Sequence, residues 1–125
     1  MDVGCYMVSI ARLIAGAAMC LSEPAEPERL EGVAHIGEGG RVGEWPAAVA
    51  RFPNGAVADL ACGSRVRVQS RVHVWGSLGD IEVPVPWNPT LGKILLSRPG
   101  KDPEEIEVPA CTYRTSVLPL QHQMM

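Results

Sequence analysis

Aromatic residues are scarce in this chain, at 5% of the sequence: Trp45, Trp75, Trp87, Tyr6, Tyr113 and Phe52 complete the set. Excess positive charge is missing too, because the formal net charge is -3. A dedicated nucleic-acid binder needs a basic face, and stacking platforms use several aromatics together. Both absences argue against that class. Nucleotide and hydrolase fingerprints are equally absent. There is no P-loop, no G-x-S-x-G and no H-E-x-x-H. Gly37-Glu38-Gly39 comes nearest to a dinucleotide fingerprint, but Val42 stands where the third glycine belongs. That stretch also lies between predicted strands, whereas the fingerprint requires a strand-to-helix turn. Cys5, Cys20, Cys62 and Cys111 form no C-x-x-C pair, and His35, His73 and His122 show no zinc-ligand spacing with them. The even cysteine count permits disulfides, but nothing else points to a small secreted scaffold, so buried thiols in a cytoplasmic protein are expected. A long apolar run is missing as well. Residues 4–21 are mostly apolar, yet Asp2 precedes them and Arg12 interrupts them, which fits neither a signal peptide nor a membrane span.

What is present suits one folded domain. The chain has 125 residues, 46% of them hydrophobic, enough for a core of its own. Tyr6, Ile10, Leu13 and Ile14 recur at helical spacing, with Val3, Met7 and Ala11 broadening the stripe. Asp2 can cap such a helix by accepting from its first amides, and Gly16 can stop it. The run "SEPAEPE" then breaks any helix with its prolines. Beyond it the period becomes that of strands. Extended segments are predicted at 30–36, 45–52, 56–64, 65–75, 81–85, 93–97 and 105–108. Asn54-Gly55 supplies a tight hairpin turn. The strictest alternation is at 65–75, where Val66, Val68, Val72 and Val74 oppose Arg65, Arg67, Gln69, Arg71 and His73. Strands that follow one another without intervening helices favour antiparallel pairing. The expected fold is α+β: a mainly antiparallel open sheet of about six or seven strands, with the N-terminal helix packed on one face. The valine face of 65–75 is expected to meet the helix, leaving Trp75 on the open face.

Two features carry possible chemistry. The basic side of 65–75, ending in Trp75, could touch single-stranded nucleic acid, although a solvated or subunit-packed sheet face explains it as well. "MDVGCYMVSI" opens the chain with a D-x-G-x-Y spacing. Taken alone, Asp2 there caps, Gly4 allows close approach and Tyr6 packs.

The ordered set of motifs resembles the C-terminal domain of the Gfo/Idh/MocA oxidoreductases, two-domain NAD(P)-dependent dehydrogenases of sugars and diols. "DVGCYMVSIARLIAG" is similar to the start of that domain. "ARFPNGAVADLAC" resembles its strand, F-P-N-G hairpin and return strand. "VHVWGSLGDIEVPVPWNP" resembles its V-x-G-x-x-G-x-I-x-V-P hairpin, and the P-W-N-P ending is most similar to the dihydrodiol and xylose dehydrogenase branch. The likeness runs from Asp2 to about Pro109. It implies that Tyr6 is the catalytic acid/base, that Asp2 orients substrate hydroxyls, and that Trp87 walls the substrate pocket. It also implies a lysine beside the tyrosine, supplied by an E-K-P motif of the nucleotide-binding domain. This chain has no E-K-P, and its lysines are Lys93 and Lys101.

Residues 1–109 are therefore expected to form a substrate-binding and oligomerisation domain whose Rossmann partner domain is missing, followed by a divergent tail at 110–125, where Pro119 opposes the helix that such domains carry. The expected cofactor is NAD or NADP in the full-length protein, with none bound by this chain alone and no metal. The expected partners are the missing Rossmann domain, a sugar or diol substrate, and a second copy that forms a homodimer through the open sheet face. Neither nucleic acid nor membrane is expected. A stand-alone antiparallel-sheet module that binds a partner protein is the alternative from a different class.

Overall fold

The computed structural model describes residues 4–40, 43–87 and 92–109. They belong to two compact units, divided between Val68 and Gln69.

The first unit opens with helix α1, Gly4–Ala18, followed by strands β1 (Arg29–Ile36), β2 (Gly43–Arg51) and β3 (Val57–Ala61). The strands pair in the order β1-β2-β3, each antiparallel to its sequence neighbour. The helix packs on the sheet through small residues. Ala15 is buried together with Ala25, Ala50 and Phe52, and Ala11, Met19 and Ala58 border this cluster. The packed stripe thus runs through Ala11, Ala15 and Met19, at helical four-residue spacing. The stripe expected from the larger residues lies elsewhere: Tyr6 and Leu13 remain 53% and 54% exposed. Small side chains let the helix backbone approach closely, and that approach fixes its rotation.

Gly16 does not end the helix. It is buried mid-turn, where an added Cβ would lie 2.4 Å from the Glu23 carbonyl oxygen. The proline-bearing segment 23–25 therefore lies directly on α1. It is held there by Ala25 N–H donating to the Arg12 carbonyl at 3.0 Å, by Arg12 Nε donating to the Ala25 carbonyl, and by an Arg12–Glu26 ion pair. The actual stop is a Schellman motif. Leu21 N–H reaches back to the Gly16 carbonyl and Cys20 N–H to the Ala17 carbonyl, while Cys20 takes the left-handed conformation at φ 57°.

The Asn54-Gly55 turn forms as the sequence predicts. Gly55 has φ 83°, Ala56 N–H donates to Asn54 Oδ1 at 3.1 Å, and Phe52 N–H closes onto the Ala56 carbonyl at 2.9 Å. This turn sets the β2–β3 register and delivers Phe52, 2% exposed, into the core.

The second unit holds β4 (Val72–Gly76), β5 (Gly79–Val83), β6 (Lys93–Ser97) and β7 (Glu104–Glu107), in the spatial order β4-β5-β6-β7, all antiparallel. The four buried apolar side chains among the described residues, Ala15, Ala25, Ala50 and Phe52, all lie in the first unit.

Several expectations need correction. The α+β class holds, and seven strands are present among the described residues, but they form sheets of three and four strands rather than one of six or seven. The predicted strand 65–75 shrinks to Val72–Gly76. Its first half is captured by the edge of the first unit: Ser64 N–H donates to the Glu44 carbonyl at 2.9 Å, and Arg65 pairs with the Glu44 carboxylate at 3.3 Å. The alternation there is a loop that happens to share a strand's period. The buried-thiol expectation also fails, since Cys5 and Cys20 are exposed and Cys62 is partly so. No helix among the described residues is long and apolar enough to cross a membrane. Asp2, Cys111 and the tail 110–125 lie outside the described residues.

Candidate functional site

Of the D-x-G-x-Y motif, Gly4 and Tyr6 are described. Gly4 begins α1 and is buried. Tyr6, one half-turn on, projects from the side of the helix away from the packed alanines and is more than half exposed. Trp87 lies in the turn that follows β5, in the second unit, and is 40% exposed. Tyr6 and Trp87 thus belong to different units, and both are partly exposed.

The second unit carries a further cluster that the sequence reading did not single out. His73 and Trp75 on β4 face Glu82 and Asp80 on β5 through the hairpin register His73↔Glu82 and Trp75↔Asp80. His73 Nε2 lies 2.8 Å from Asp80 Oδ2. In the neutral ring the Nε2–H tautomer donates to that carboxylate, and in the charged ring the contact becomes an ion pair. Trp75 stacks on the His73 ring with centroids 4.2 Å apart and planes 24° apart. Arg71 is 3.9 Å from Glu82. Arg71 and His73 therefore each face a carboxylate across the hairpin, which further weakens the nucleic-acid reading. A shallow concavity of about 390 Å³ lies at the hairpin end, lined by Trp75, Gly76, Ser77, Asp80, Ser97 and Arg98. The signal for this cluster was available. Once Gly76–Gly79 is read as a hairpin turn, residues 73 and 75 must oppose 82 and 80.

At the far edge of the same sheet Lys93 Nζ donates to Glu105 Oε2 at 2.7 Å. That hydrogen bond and charge, helped by Glu107, raise the lysine above its ordinary pKa. Among the described residues no group of three or more histidine, cysteine, aspartate or glutamate side chains is placed to hold a metal ion.

A dinucleotide needs a strand, a glycine-rich turn and a helix N-terminus in that order. Here the single helix of the described residues precedes every strand, and Gly37–Gly40 links β1 to β2 of an antiparallel pair. The described residues do not fit a nicotinamide cofactor.

Comparison with known proteins gives likenesses that include the following two. An aldose-aldose oxidoreductase from Caulobacter crescentus, solved in complex with glycerol, matches 90% of this chain with a TM-score of 0.72 at 22% identity. An uncharacterized oxidoreductase of Rhizobium meliloti is 28% identical over 89 residues, 71% of this chain. No family model matches the chain. The chain spans 32% of the length of the first protein and 24% of the second. The fold is that of a domain found in an oxidoreductase.

Proposed function

We propose that this chain is the substrate-binding and dimerisation domain of an NAD(P)-dependent sugar or diol dehydrogenase of the Gfo/Idh/MocA type, with the nucleotide held by a Rossmann domain outside these residues. The observation that carries the reading is the fold match over 90% of the chain to an aldose-aldose oxidoreductase. The ordered motifs supply the second support, from D-x-G-x-Y at residues 2–6 to the P-W-N-P run that begins at Pro86. On this reading the Tyr6 hydroxyl hydrogen-bonds the reacting hydroxyl and moves its proton, Asp2 orients neighbouring hydroxyls, and Trp87 forms an apolar wall. The outward position of Tyr6 suits this role, because a proton-transfer group must reach a ligand rather than pack in the core. The branch likeness to dihydrodiol and xylose dehydrogenases narrows the substrate class to small polyols and aldoses.

The test is kinetic. Joined to a nucleotide-binding domain of the same type, the chain should oxidise aldoses. Tyr6→Phe, which removes only the hydroxyl, should lower kcat by about a hundredfold or more. An unchanged kcat would make Tyr6 a surface aromatic and remove it from the mechanism.

A further inference from the structure

Trp75 is the most exposed aromatic side chain among the described residues, at 71%, yet its ring is held. The His73 ring stacks on one side of it, with centroids 4.2 Å apart, and His73 is itself held by its Nε2 contact to Asp80 Oδ2 at 2.8 Å. The exposure therefore belongs to the other side of the indole. A large aromatic that is fixed from behind and bare in front is a preformed stacking surface, since its ordering cost is met before a ligand arrives.

The register gives that surface a polar border. Antiparallel pairing sets Trp75, Asp80 and Ser97 in one row across β4, β5 and β6, and residues in such a row share a sheet face. Arg98 follows Ser97 directly and lines the same concavity, together with Ser77 of the hairpin turn. The volume of about 390 Å³ lies at the lower end of small-ligand clefts, roughly 300–1,000 Å³. The border is mixed in charge and in hydrogen-bonding sense. The Asp80 carboxylate accepts, and only Oδ2 takes part in the bond to His73, so Oδ1 can accept from a ligand hydroxyl. Arg98 donates; Glu104 lies 3.5 Å from its Nη1, and the guanidinium has further N–H groups to offer. The serine hydroxyls do either.

A flat apolar face beside interleaved donors and acceptors suits a sugar ring. The C–H bonds on the face of a pyranose pack on an aromatic, and the hydroxyls at its edge both donate and accept. We propose that this end of the β4–β5 hairpin binds a neutral pyranose, stacked on the free face of Trp75, with neighbouring hydroxyls held by Asp80 and Arg98. Charge favours a neutral ligand, because an anion would meet Asp80 and a cation would meet Arg98. A single aromatic also falls short of the cage that a quaternary ammonium requires. None of these residues has a role in the reaction assigned to Tyr6, Asp2 and Trp87, so the proposal does not depend on the dehydrogenase reading. The concavity is shallow, so binding is weak, with a Kd on the order of 1 mM.

NMR titration of the nitrogen-labelled chain tests this. D-glucose should shift the Trp75 indole signal and the amides of 76–80 and 97–98 saturably. Mannitol, which has the hydroxyls but no ring face, should bind about tenfold more weakly, and Trp75→Ala should weaken glucose binding by a similar factor, the scale of losing one stacked ring. Arg98→Ala should weaken it about fivefold, the scale of one hydrogen bond. Cellobiose separates two sources of the same ring: affinity equal to that of glucose points to a free aldose, tighter binding points to a chain of sugar rings, and either supports the site. The spectrum of the remaining residues is the folding control; if Trp75→Ala alters it, Arg98→Ala decides alone. The absence of a saturable shift with either sugar overturns the proposal. So does glucose binding that survives both substitutions, mannitol or adenosine binding as tightly as glucose, or a shift at 76–80 that Tyr6→Phe removes. Because Tyr6→Phe should leave these shifts in place, the hairpin site and the dehydrogenase reading fail separately.

Discussion

Replacing Gly16 by alanine sets two effects of opposite sign against each other. In an isolated helix the change stabilises, because alanine is favoured over glycine by about 1 kcal/mol. In this chain the new methyl would sit 2.4 Å from the Glu23 carbonyl oxygen, 3.1 Å from Ala25 N and 3.2 Å from Pro24 Cα. All three are backbone atoms, so no side-chain rotation relieves the clash. The 23–25 segment must lift off the helix. Lifting it strains or breaks the Ala25-to-Arg12 backbone hydrogen bond, worth about 1 kcal/mol, and partly uncovers Ala25, one of the buried residues of this unit. Overpacking alone costs roughly 1–3 kcal/mol. Clash and lost contacts together outweigh the propensity gain, and the expected net effect is a destabilisation of about 2 kcal/mol. In a domain of this size that corresponds to a fall in Tm on the order of 10 °C. Urea or thermal denaturation followed by far-ultraviolet circular dichroism measures it. Ala17→Gly, at an exposed position one residue on, calibrates propensity without the clash. A Gly16→Ala chain as stable as wild type, or more stable, would refute the reasoning, since propensity would then be the only term acting.

Phe52→Ala removes the largest fully buried side chain from a core otherwise made of alanines, and the loss of about 3–5 kcal/mol should leave the first unit largely unfolded at 25 °C by circular dichroism. Lys93 should titrate above its ordinary value of 10.5 because Glu105 and Glu107 favour its charged form; the chain has only one other lysine, so NMR titration resolves it, and Glu105→Gln should bring it back down. By sign, the raised pKa contributes stability below the ordinary lysine value, and that contribution is lost as pH rises through the folded one; because the pair is exposed, salt should diminish it.

The hairpin around Asn54-Gly55 was legible because turn chemistry is local: glycine's freedom and the asparagine side chain act within the turn itself. Strand 93–97 was legible at its full extent for a similar reason, since turn residues bound it on both sides. The rotation of α1 was not legible. Amphipathicity ranks faces by residue size and hydrophobicity, whereas here the packed face is the one with the smallest residues, chosen by how closely Phe52 and the 23–25 segment approach. The strand at 65–75 misled because alternation reports side-chain identity and cannot report whether the backbone finds a ladder partner. Ser64 and Arg65 were already committed to Glu44. The placement of Tyr6 on the first helix was legible from the apolar spacing of residues 6–14. The His73–Asp80–Trp75 cluster depends on an alternation and a hairpin register taken together, because neither alone brings residues 73 and 80 side by side.

Every strand described here pairs with its neighbour in sequence, and this has a consequence in time. No ladder waits for a distant segment to arrive, so loop-closure entropy is met in short steps. As the polypeptide leaves the ribosome, β2 can zip onto β1 and β3 onto β2 before β4 has been synthesised. The helix, made first, closes last within its unit, because its seat on Ala50, Phe52 and Ala58 exists only once the meander is complete. Until then its alanine stripe is bare, and it is in that interval of synthesis that the nascent chain is most open to a chaperone.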